Sequence, residues 1–588
     1  LFFKTPQQSV IATQVKQPLA DEDVQKLVWL YGEAPLLPET SLEGWFVGPR
    51  REMITPWSTN AVEITQNMNI SGVTRIEEYF PVADGGAEHD PMLQRVYHGL
   101  DQQIFDVDIQ PAPICHITDL ETFNEQEGLA LSPEEIDYLH RVEGQLGRTL
   151  TDSEVFGFAQ INSEHCRHKI FGGQFIIDCE EKPSSLFALT KKTTQENPHK
   201  ILSAYKDNVA FSQGPTVEMF SPAEHSVPDW FRVKDVESVI SLKAETHNFP
   251  TTVEPFNGAS TGTGGEIRDR MGGGTGSLPI AGTAVYMTSY PRLEEGRGWE
   301  NVLPVREWLY QSPEQILVKA SNGASDFGNK FGQPLIAGSL LTFEHQENGE
   351  KYGYDKVIML AGGVGYGTRR DCLKGEPKKG NKVVVVGGDN YRIGLGGGSV
   401  SSVDTGRYAG AIELNAVQRA NPEMQKRAAN LVRALCEEDV NPVVSIHDHG
   451  SAGHVNCLSE LVEECGGKID MSALPVGDPT LSAKEIIANE SQERMGLLIR
   501  EEHIDHVRRI AERERAPLYV VGETTGDARF CFEQADGERP FDLEVAQMFG
   551  HSPKTVMTDT TVERHYAAPQ TDAAKLQEYV ENVLRLEA

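Results

Sequence analysis

Apolar and polar positions alternate along residues 238–250, and the rest of the chain is organised around this stretch. A period of two residues is typical of a strand. Because successive side chains of a strand point to opposite faces, Lys243, Glu245 and His247 are expected to share one face, away from the apolar side that carries Leu242. In one row, a cation suits contact with phosphate, an anion suits contact with a metal, and an imidazole suits proton transfer. An edge strand with a solvated charged face is the alternative.

Helical and strand patterns continue on both sides of this stretch. Two capping boxes, Ser132–Glu135 and Thr151–Glu154, each predict the start of a helix. Apolar residues at helical spacing predict further helices, and short apolar runs predict buried strands. The helices are expected at 23–30, 61–68, 421–435 and 573–586, and the strands at 357–360, 383–386, 443–446 and 496–499. The terminal helix is amphipathic, so it is expected to pack against something.

These changes of pattern predict a multidomain protein of mixed α+β and α/β class. A chain of 588 residues is too long for one hydrophobic core. The predicted order is an α+β accessory domain, a helical linker, two α/β domains, and a connector with a terminal helix. Their expected bounds are 1–130, 131–185, 186–372, 373–535 and 536–588.

Composition narrows the range of partners. The net charge of −33 argues against duplex nucleic acid or an anionic membrane as a partner. The eight cysteines are scattered without a C-x-x-C pair, which favours a reducing cytoplasm. No run of 18 apolar residues and no signal-peptide order is visible. A phosphate-bearing ligand would therefore need a focused site of cations, metal or backbone N–H groups.

A stretch rich in glycine and hydroxyl groups, Gly258–Asp269, is expected to form a phosphate-binding loop. Glycine lets backbone N–H groups approach phosphate closely. Arg268 can fork onto phosphate, and Asp269 offers oxygen to magnesium. A second run, Gly272–Ser277, indicates a mobile loop nearby. Glycine-rich loops are also common as plain connectors, which is the alternative for Gly258–Asp269.

Other polar clusters fall near predicted element ends. The segment Asn162–Lys169 is densely polar and follows a predicted helix. Because Cys166 stands next to a histidine, its thiol could be a nucleophile activated by that histidine. Adjacent side chains of a helix point in different directions, however, which disfavours this hypothesis. Gly394–Ser399 is a second glycine-rich turn. Asp448 ends a predicted strand, where α/β folds place ligands.

Taken together, these motifs resemble one family, phosphoribosylformylglycinamidine synthase of the large, glutamine-dependent type. The matching stretches are 162–171, 243–250, 258–269, 394–399, 447–453 and 490–495, with 55–64 resembling the N-terminal domain. The resemblance implies the family's N-terminal domain, its helical linker, and the first of two synthetase halves. That half would contain N- and C-terminal subdomains like those of aminoimidazole ribonucleotide synthetase, at 186–372 and 373–535.

The resemblance also implies an activity. Family members are cytoplasmic ligases of purine biosynthesis that convert formylglycinamide ribonucleotide, ATP and ammonia into the formylglycinamidine, ADP and phosphate through an iminophosphate, with Mg²⁺. Ammonia comes from a glutaminase domain, which together with the second synthetase half is expected to lie outside this chain. The chain alone is therefore expected to bind nucleotide or substrate weakly and to turn over little.

Site residues follow from the resemblance, position by position. The catalytic residues implied are His165 and His247. The ATP-binding residues implied are His168, Lys243, Gly258, Ala259, Ser260, Thr261, Gly262, Thr263, Gly264, Gly265, Glu266, Ile267, Arg268 and Asp269. The substrate-binding residues implied are Thr246, His247, Asn248, Phe249, Arg268, Gln418, Glu490, Ser491 and Gln492. The magnesium ligands implied are Glu245, Asp269 and Asp448. His247 is expected to accept the proton of ammonia, and a structural imidazole is the alternative.

Two other functions stay open. Aminoimidazole ribonucleotide synthetase would keep the superfamily and change the substrate, but Asn162–Cys166 in a helical linker argues against it. A non-catalytic half that binds nucleotide or substrate, or serves a structural role, is the second alternative.

Overall fold

The computed structural model describes residues 1–293, 297–301, 303–306, 311–347, 349–405, 407–408, 410–490, 493–549 and 553–585. The chain forms two compact units. The first contains Leu1–Pro113, Asp389–Arg392 and Pro475–Ser482. The second is built from Ile114–Gly388, Ile393–Leu474 and the chain from Ala483 onward.

The first unit is an antiparallel five-stranded sheet with two helices packed on it. Its strands are β1 (Phe2–Lys4), β2 (Val10–Val15), β3 (Leu42–Pro49), β4 (Val73–Val82) and β5 (Gln94–Leu100), in the order β1-β2-β4-β3-β5. Its helices are α1 (Asp21–Leu30) and α2 (Pro56–Asn67). Thr55 caps α2 by accepting the Ser58 N–H at 3.0 Å, and Pro56 occupies the first turn, where its missing N–H costs nothing.

The second unit begins with the linker helices. These are α3 (Leu120–Glu127), α4 (Pro133–Leu146), α5 (Asp152–Ile161) and α6 (Glu164–Arg167), followed by β6 (Gln174–Ile177), β7 (Glu180–Glu181) and α7 (Leu186–Glu196). Both predicted capping boxes are confirmed: Ser132 with Glu135 opens α4, and Thr151 with Glu154 opens α5. Every residue of α5 is buried, so this linker helix forms part of the core.

A six-stranded sheet follows, in the order β12-β11-β15-β10-β9-β8. Its strands are β8 (Ile201–Ser203), β9 (Ala210–Ser221), β10 (Arg232–Thr246), β11 (Leu278–Thr288), β12 (Leu335–Thr342) and β15 (Ile358–Thr368), with a separate hairpin of β13 (Glu344–Glu347) and β14 (Glu350–Gly353). The helices of this region are α8 (Asn248–Val253), α9 (Pro255–Met271) and α10 (Pro313–Phe331).

The central strand β10 carries the row predicted from the sequence, but the buried face is the opposite of the one expected. Its polar side is covered: Ser241 is 0% exposed, and the side chains of Lys243 and Glu245 are 17% and 25% exposed. Ile240 and Leu242, on the apolar side, are each 41% exposed. The edge-strand alternative is also wrong, because β10 pairs with both β15 and β9.

A seven-stranded sheet forms the second half of this unit, in the order β17-β19-β16-β20-β18-β21-β22. Its strands are β16 (Lys382–Val386), β17 (Val443–Asp448), β18 (Gly467–Asp470), β19 (Met495–Ile499), β20 (Leu518–Thr524), β21 (Arg529–Glu533) and β22 (Phe541–Glu544). Its helices are α11 (Gly397–Val400), α12 (Gly410–Ala416), α13 (Pro422–Glu437), α14 (Gly453–Leu461), α15 (Ala483–Ala488), α16 (Ile504–Arg513) and α17 (Val545–Phe549).

Both faces of this sheet are covered, which explains the continuous apolar run of β16. Val383 and Val385 pack with the linker helices and α14 and α15. Val384 and Val386 pack on the other face with α9, α10, α13 and α16. A strand buried on both sides loses the alternation of a half-exposed strand.

The chain continues through β23 (Val556–Asp559), which pairs in parallel with β6, to α18 (Leu576–Arg585). The apolar stripe of α18 is exposed: Leu576, Val580 and Val583 are 65%, 49% and 66% accessible. The packing partner expected for α18 is therefore not found among the described residues. Among the described residues, no helix has the length and apolar character needed to cross a lipid bilayer.

Candidate active site

Charged side chains from both sheets of the second unit meet at one place. Lys243 Nζ lies 2.8 Å from Asp269 Oδ2 and 3.0 Å from Glu245 Oε2. Asp448, at the end of β17, faces Asp269 from the other sheet, and its Oδ2 lies 3.8 Å from Arg268 Nη2. The site therefore combines three carboxylates with two cations, and Asp269 and Asp448 are both more than 90% buried.

Electrostatics within this cluster keeps its charges paired. Burial would lower the pKa of Lys243, but Asp269 and Glu245 outweigh it and raise the pKa, so the ammonium is retained. Burial and the neighbouring carboxylates raise the pKa of Asp269 well above its ordinary value, against the pull of Lys243. Burial would also raise the pKa of Asp448, but His447 and Arg268 lower it strongly.

The predicted metal triad is only partly assembled. Asp269 and Asp448 are close, whereas Glu245 is bonded to the Lys243 ammonium that also holds Asp269. Within the described portion of the chain, no group of three or more histidine, cysteine, aspartate or glutamate side chains is arranged to hold a metal ion. A cation bound between the two aspartates would need oxygen from another source.

Two predicted histidines lie beside these charges. Burial lowers the pKa of His247 to about 4, against the attraction of Glu245, so its ring is neutral at neutral pH. Its Nδ1 is buried and has no hydrogen-bond partner among the described residues. Burial likewise lowers the pKa of His165, which lies near Glu245 and His168. His168 itself ends α6 and stacks on Phe187, with ring centroids 6.2 Å apart.

The predicted phosphate loop Gly258–Asp269 is wrong in its secondary structure, because these residues form the body of α9. Two of their glycines allow close packing against this helix. A Cβ at Gly258 would lie 2.4 Å from the carbonyl carbon of Pro250, and one at Gly262 would lie 2.9 Å from His247 Cβ. Apart from the half-buried Gly265, residues 258–269 are buried. No cradle of free backbone N–H groups exists here, since helical N–H groups bond within the helix.

The second glycine run, Gly272–Ser277, is a buried turn and not a mobile loop. A Cβ at Gly273 would lie 2.2 Å from Val209 Cγ1. Gly274 has φ of +62°, and a Cβ there would lie 2.1 Å from the carbonyl oxygen of Asp371. The glycines are therefore required by close packing.

Arg268 connects α9 to the second sheet's helices. Its Nη1 donates to Gln425 Oε1 at 3.2 Å, and Gln425 Nε2 donates to the Gly264 carbonyl oxygen at 3.0 Å. Gln425 was not predicted from the sequence, where it is one polar residue in a helical pattern. The arrangement fixes the guanidinium between the two sheets.

Gln418 and Glu490 lie together, as a substrate-binding pair would. Gln418 Nε2 donates to Glu490 Oε2 at 3.0 Å, and the Ala452 N–H donates to Glu490 Oε1 at 3.3 Å. The glycine-rich turn holds this carboxylate closely: a Cβ at Gly397 would lie 2.8 Å from Glu490 Oε2. Burial raises the pKa of Glu490 to about 7. Ser491 and Gln492 lie outside the described residues.

The remaining predicted substrate residues are less available. The side chain of Phe249 is 2% exposed and packs with Val253, Val400 and Val417, which leaves little of its surface for a contact with substrate. Asn248 Oδ1 accepts the Met359 N–H at 3.1 Å, which ties it to β15. Thr246, by contrast, is exposed at the end of β10.

Cys166 is unsuited to act as a nucleophile, as expected. Burial raises the pKa of its thiol to about 11, and Ser451 and Ser163 only partly oppose this. Since the thiolate is the reactive form, the thiol is inert at neutral pH.

Beneath Asp448 lie three further histidines. His447 Nε2 lies 2.5 Å from Glu460 Oε2. Burial would lower the pKa of His447, but Glu460 and Asp448 raise it well above its ordinary value. On the other side, His449 Nε2 lies 3.0 Å from His454 Nδ1, and His454 Nε2 lies 2.9 Å from Arg494 Nη1.

Comparison with known proteins gives matches along most of the chain. Residues 8–103 match the formylglycinamide ribonucleotide amidotransferase N-terminal domain, and residues 120–169 match the linker domain of the same amidotransferase. Residues 378–532 match the AIR synthase related protein, C-terminal domain. A phosphoribosylformylglycinamidine synthase of Dictyostelium discoideum is 37% identical over 547 residues, which cover 87% of this chain and 40% of that protein. The chain thus spans less than half the length of that relative.

A solved structure supports the fold. Thermotoga maritima PurL complexed with FGAR superposes with a TM-score of 0.50 and 21% identity, covering 74% of this chain and 58% of that one. Together with the domain matches, it confirms the predicted mixed α/β multidomain fold with an N-terminal domain, a linker and synthetase-like domains.

Proposed function

We propose that the site of this chain serves ATP-dependent amidation of formylglycinamide ribonucleotide in purine biosynthesis. The premise is that the chain carries the N-terminal, linker and synthetase C-terminal domains of the phosphoribosylformylglycinamidine synthase family. The observation that carries the proposal is the meeting of Lys243, Asp269 and Asp448 between the two sheets. Both sheets lie in one unit.

The reaction makes two demands that these residues can meet. The amide oxygen leaves as phosphate after accepting the terminal phosphoryl group of ATP, so negative charge must be neutralised while it moves. Lys243 and Arg268 place positive charge beside these aspartates, and Arg268 can fork onto phosphate oxygens.

The aspartate pair fits magnesium by the chemistry of its donors. Both offer carboxylate oxygen, which hard cations prefer, and Mg²⁺ usually takes one or two carboxylates and completes its shell with phosphate and water. Asp269 and Asp448 would hold the ion. When bound, it would neutralise charge on the phosphoryl group.

The second demand is a base for ammonia, whose nitrogen must lose a proton on forming the amidine. His247 is neutral, with a pKa of about 4, and its Nδ1 is unpartnered among the described residues. An imidazole in that state can accept a proton once substrate charge enters the site. His165 lies close enough to influence the same carboxylate, Glu245.

We propose fewer nucleotide-contacting and substrate-contacting residues than the family resemblance implied. Since α9 is a buried helix, Lys243, Arg268 and Asp269 remain the nucleotide-contacting candidates of that region. Gln418, Glu490 and Thr246 remain the substrate candidates.

The five-part domain division and the cytoplasmic location belong to this proposal. The six-stranded sheet falls within 186–372, and the seven-stranded sheet falls within 373–535 except for β22 (Phe541–Glu544), which supports two separate synthetase subdomains. All eight cysteines are free, which supports a reducing compartment.

Calorimetric titration of the purified chain with Mg-ATP and with formylglycinamide ribonucleotide tests the proposal. Lys243→Met is expected to weaken Mg-ATP binding at least about tenfold, because a buried charge contact is lost. The matched control Lys330→Met removes an exposed lysine paired with Asp326 and is expected to change nothing. Wild-type affinity in Lys243→Met would refute the nucleotide assignment.

A second candidate, binding without turnover, is favoured by the 40% coverage of the relative. Ammonia-dependent ADP release separates the two. Release that His247→Gln abolishes would support catalysis by this chain, whereas binding without release would support a binding half.

A further inference from the structure

The loop between β8 and β9 reaches the aspartate pair, although nothing in the sequence pattern pointed to it. Asn208 Nδ2 lies 3.1 Å from Asp448 Oδ1 and 3.5 Å from Asp269 Oδ1. The amide nitrogen thus donates toward carboxylates that belong to two different sheets. No other described side-chain amide is seen bridging these two aspartates.

The backbone that presents Asn208 is tied down by its neighbour. Asp207 Oδ2 accepts the Gly274 N–H at 2.8 Å, and Asp207 Oδ1 lies 3.0 Å from Lys374 Nζ. Asp207 Oδ1 also accepts the Asn208 N–H at 2.9 Å. The buried turn after α9 therefore anchors the loop, while the exposed Asn208 side chain can still rotate about its own bonds.

An asparagine amide has a donor end and an acceptor end of nearly the same shape. Without a cation, two neighbouring carboxylates need a donor between them, and the NH₂ group supplies it. With a hard cation between the carboxylates, the NH₂ group would face positive charge, and the carbonyl oxygen becomes the favoured end. A half-turn of the amide plane exchanges the two ends.

We propose that Asn208 is a metal-positioning residue of this site, whose amide donates to Asp269 and Asp448 as seen here and turns its Oδ1 toward a divalent cation held between them. The proposal rests on the proposed function, which assigns the cation to these aspartates. In this role, Asn208 supplies an oxygen ligand that the described acidic and histidine side chains do not provide, since Glu245 is engaged by Lys243.

The alternative is that Asn208 only separates two like charges. That role predicts a stability loss on substitution but no change in cation affinity. Aspartate at position 208 separates the two ideas, because it offers oxygen to a cation and repels the aspartates without one.

Titration with Mn²⁺ alone, followed by the loss of the free-ion electron paramagnetic resonance signal, provides the test. Asn208→Ala is expected to weaken Mn²⁺ binding about 10- to 100-fold. Asn208→Asp is expected to bind Mn²⁺ at least as tightly as the wild type, while melting at a lower temperature in EDTA. Asn197→Ala, an exposed asparagine at the end of α7, is the matched control and is expected to match the wild type.

The outcomes separate this proposal from the one on which it rests. Wild-type Mn²⁺ affinity in Asn208→Ala, or an Asn208→Asp loss as large as that of alanine, would overturn the role of Asn208 alone. Absence of Mn²⁺ binding to the wild type would overturn the metal site itself and the Asn208 role with it.

Discussion

The free-energy cost of burying a carboxyl group can be measured at Glu490. Its pKa is raised from an ordinary value of 4.5 to about 7, chiefly by burial. A glutamate with a raised pKa favours the folded state when protonated. Its contribution is therefore fully present below pH 4.5 and is lost as the pH rises through 7.

The magnitude follows from the shift. Each pKa unit corresponds to about 1.4 kcal/mol, so the raised pKa of Glu490 costs the folded state, relative to low pH, roughly 1 kcal/mol at pH 5, about 2 at pH 6 and about 3 at pH 8. Glu490→Gln mimics the protonated form and removes this cost. The surroundings accept the change, because Gln418 can turn its amide and offer Oε1, which has no partner among the described residues.

Urea unfolding followed by circular dichroism from pH 5 to 8 measures the effect. The free energy of unfolding of Glu490→Gln is expected to exceed that of the wild type by an amount that grows with pH to about 3 kcal/mol. Glu512→Gln, at an exposed position of α16, is the control. A difference between Glu490→Gln and wild type that stays flat across this range would refute the burial argument.

Two further predictions concern packing and reactivity. Gly258→Ala is expected to destabilise the protein by about 1–3 kcal/mol or more, because its Cβ meets the Pro250 backbone, whereas Gly144→Ala, in open space on α4, is expected to stabilise it by about 0.5–1 kcal/mol. Thermal melts of both variants decide this, and equal effects would contradict the close-packing reason for the α9 glycines. Cys166, with a pKa of about 11, is expected to react with iodoacetamide at pH 7.5 far more slowly than the exposed Cys115; similar rates by mass spectrometry would show that its thiol is not held protonated.

Local signals in the sequence predicted local structure well. The capping boxes at Ser132 and Thr151 involve residues three positions apart, so their hydrogen bonds need no distant partner. The apolar run Val383–Val386 likewise predicted a buried strand. The family resemblance is confirmed by three domain matches along the chain, at 8–103, 120–169 and 378–532.

Features set by distant residues were not predictable. Alternation along β10 defines two faces but not which one is buried, and Asp269 of α9 decides this by pairing with Lys243. Glycine favours loops locally, yet Gly258 and Gly323 are used where α9 crosses its neighbours closely. Asn208 is one polar residue in a loop, and only the folded chain shows that it spans two aspartates.

The chain of buried rings behind Asp448 has a consequence for hydrogen positions. An arginine can only donate, so His454 Nε2 must accept from Arg494, and the His454 proton resides on Nδ1. That proton points to His449 Nε2, which must accept in turn, so the His449 proton also resides on Nδ1. Each ring is thereby held as a single neutral tautomer. Through His454, the guanidinium of Arg494 thus orients the Nδ1–H donor of His449. No acceptor for this donor is found in the described part of the protein.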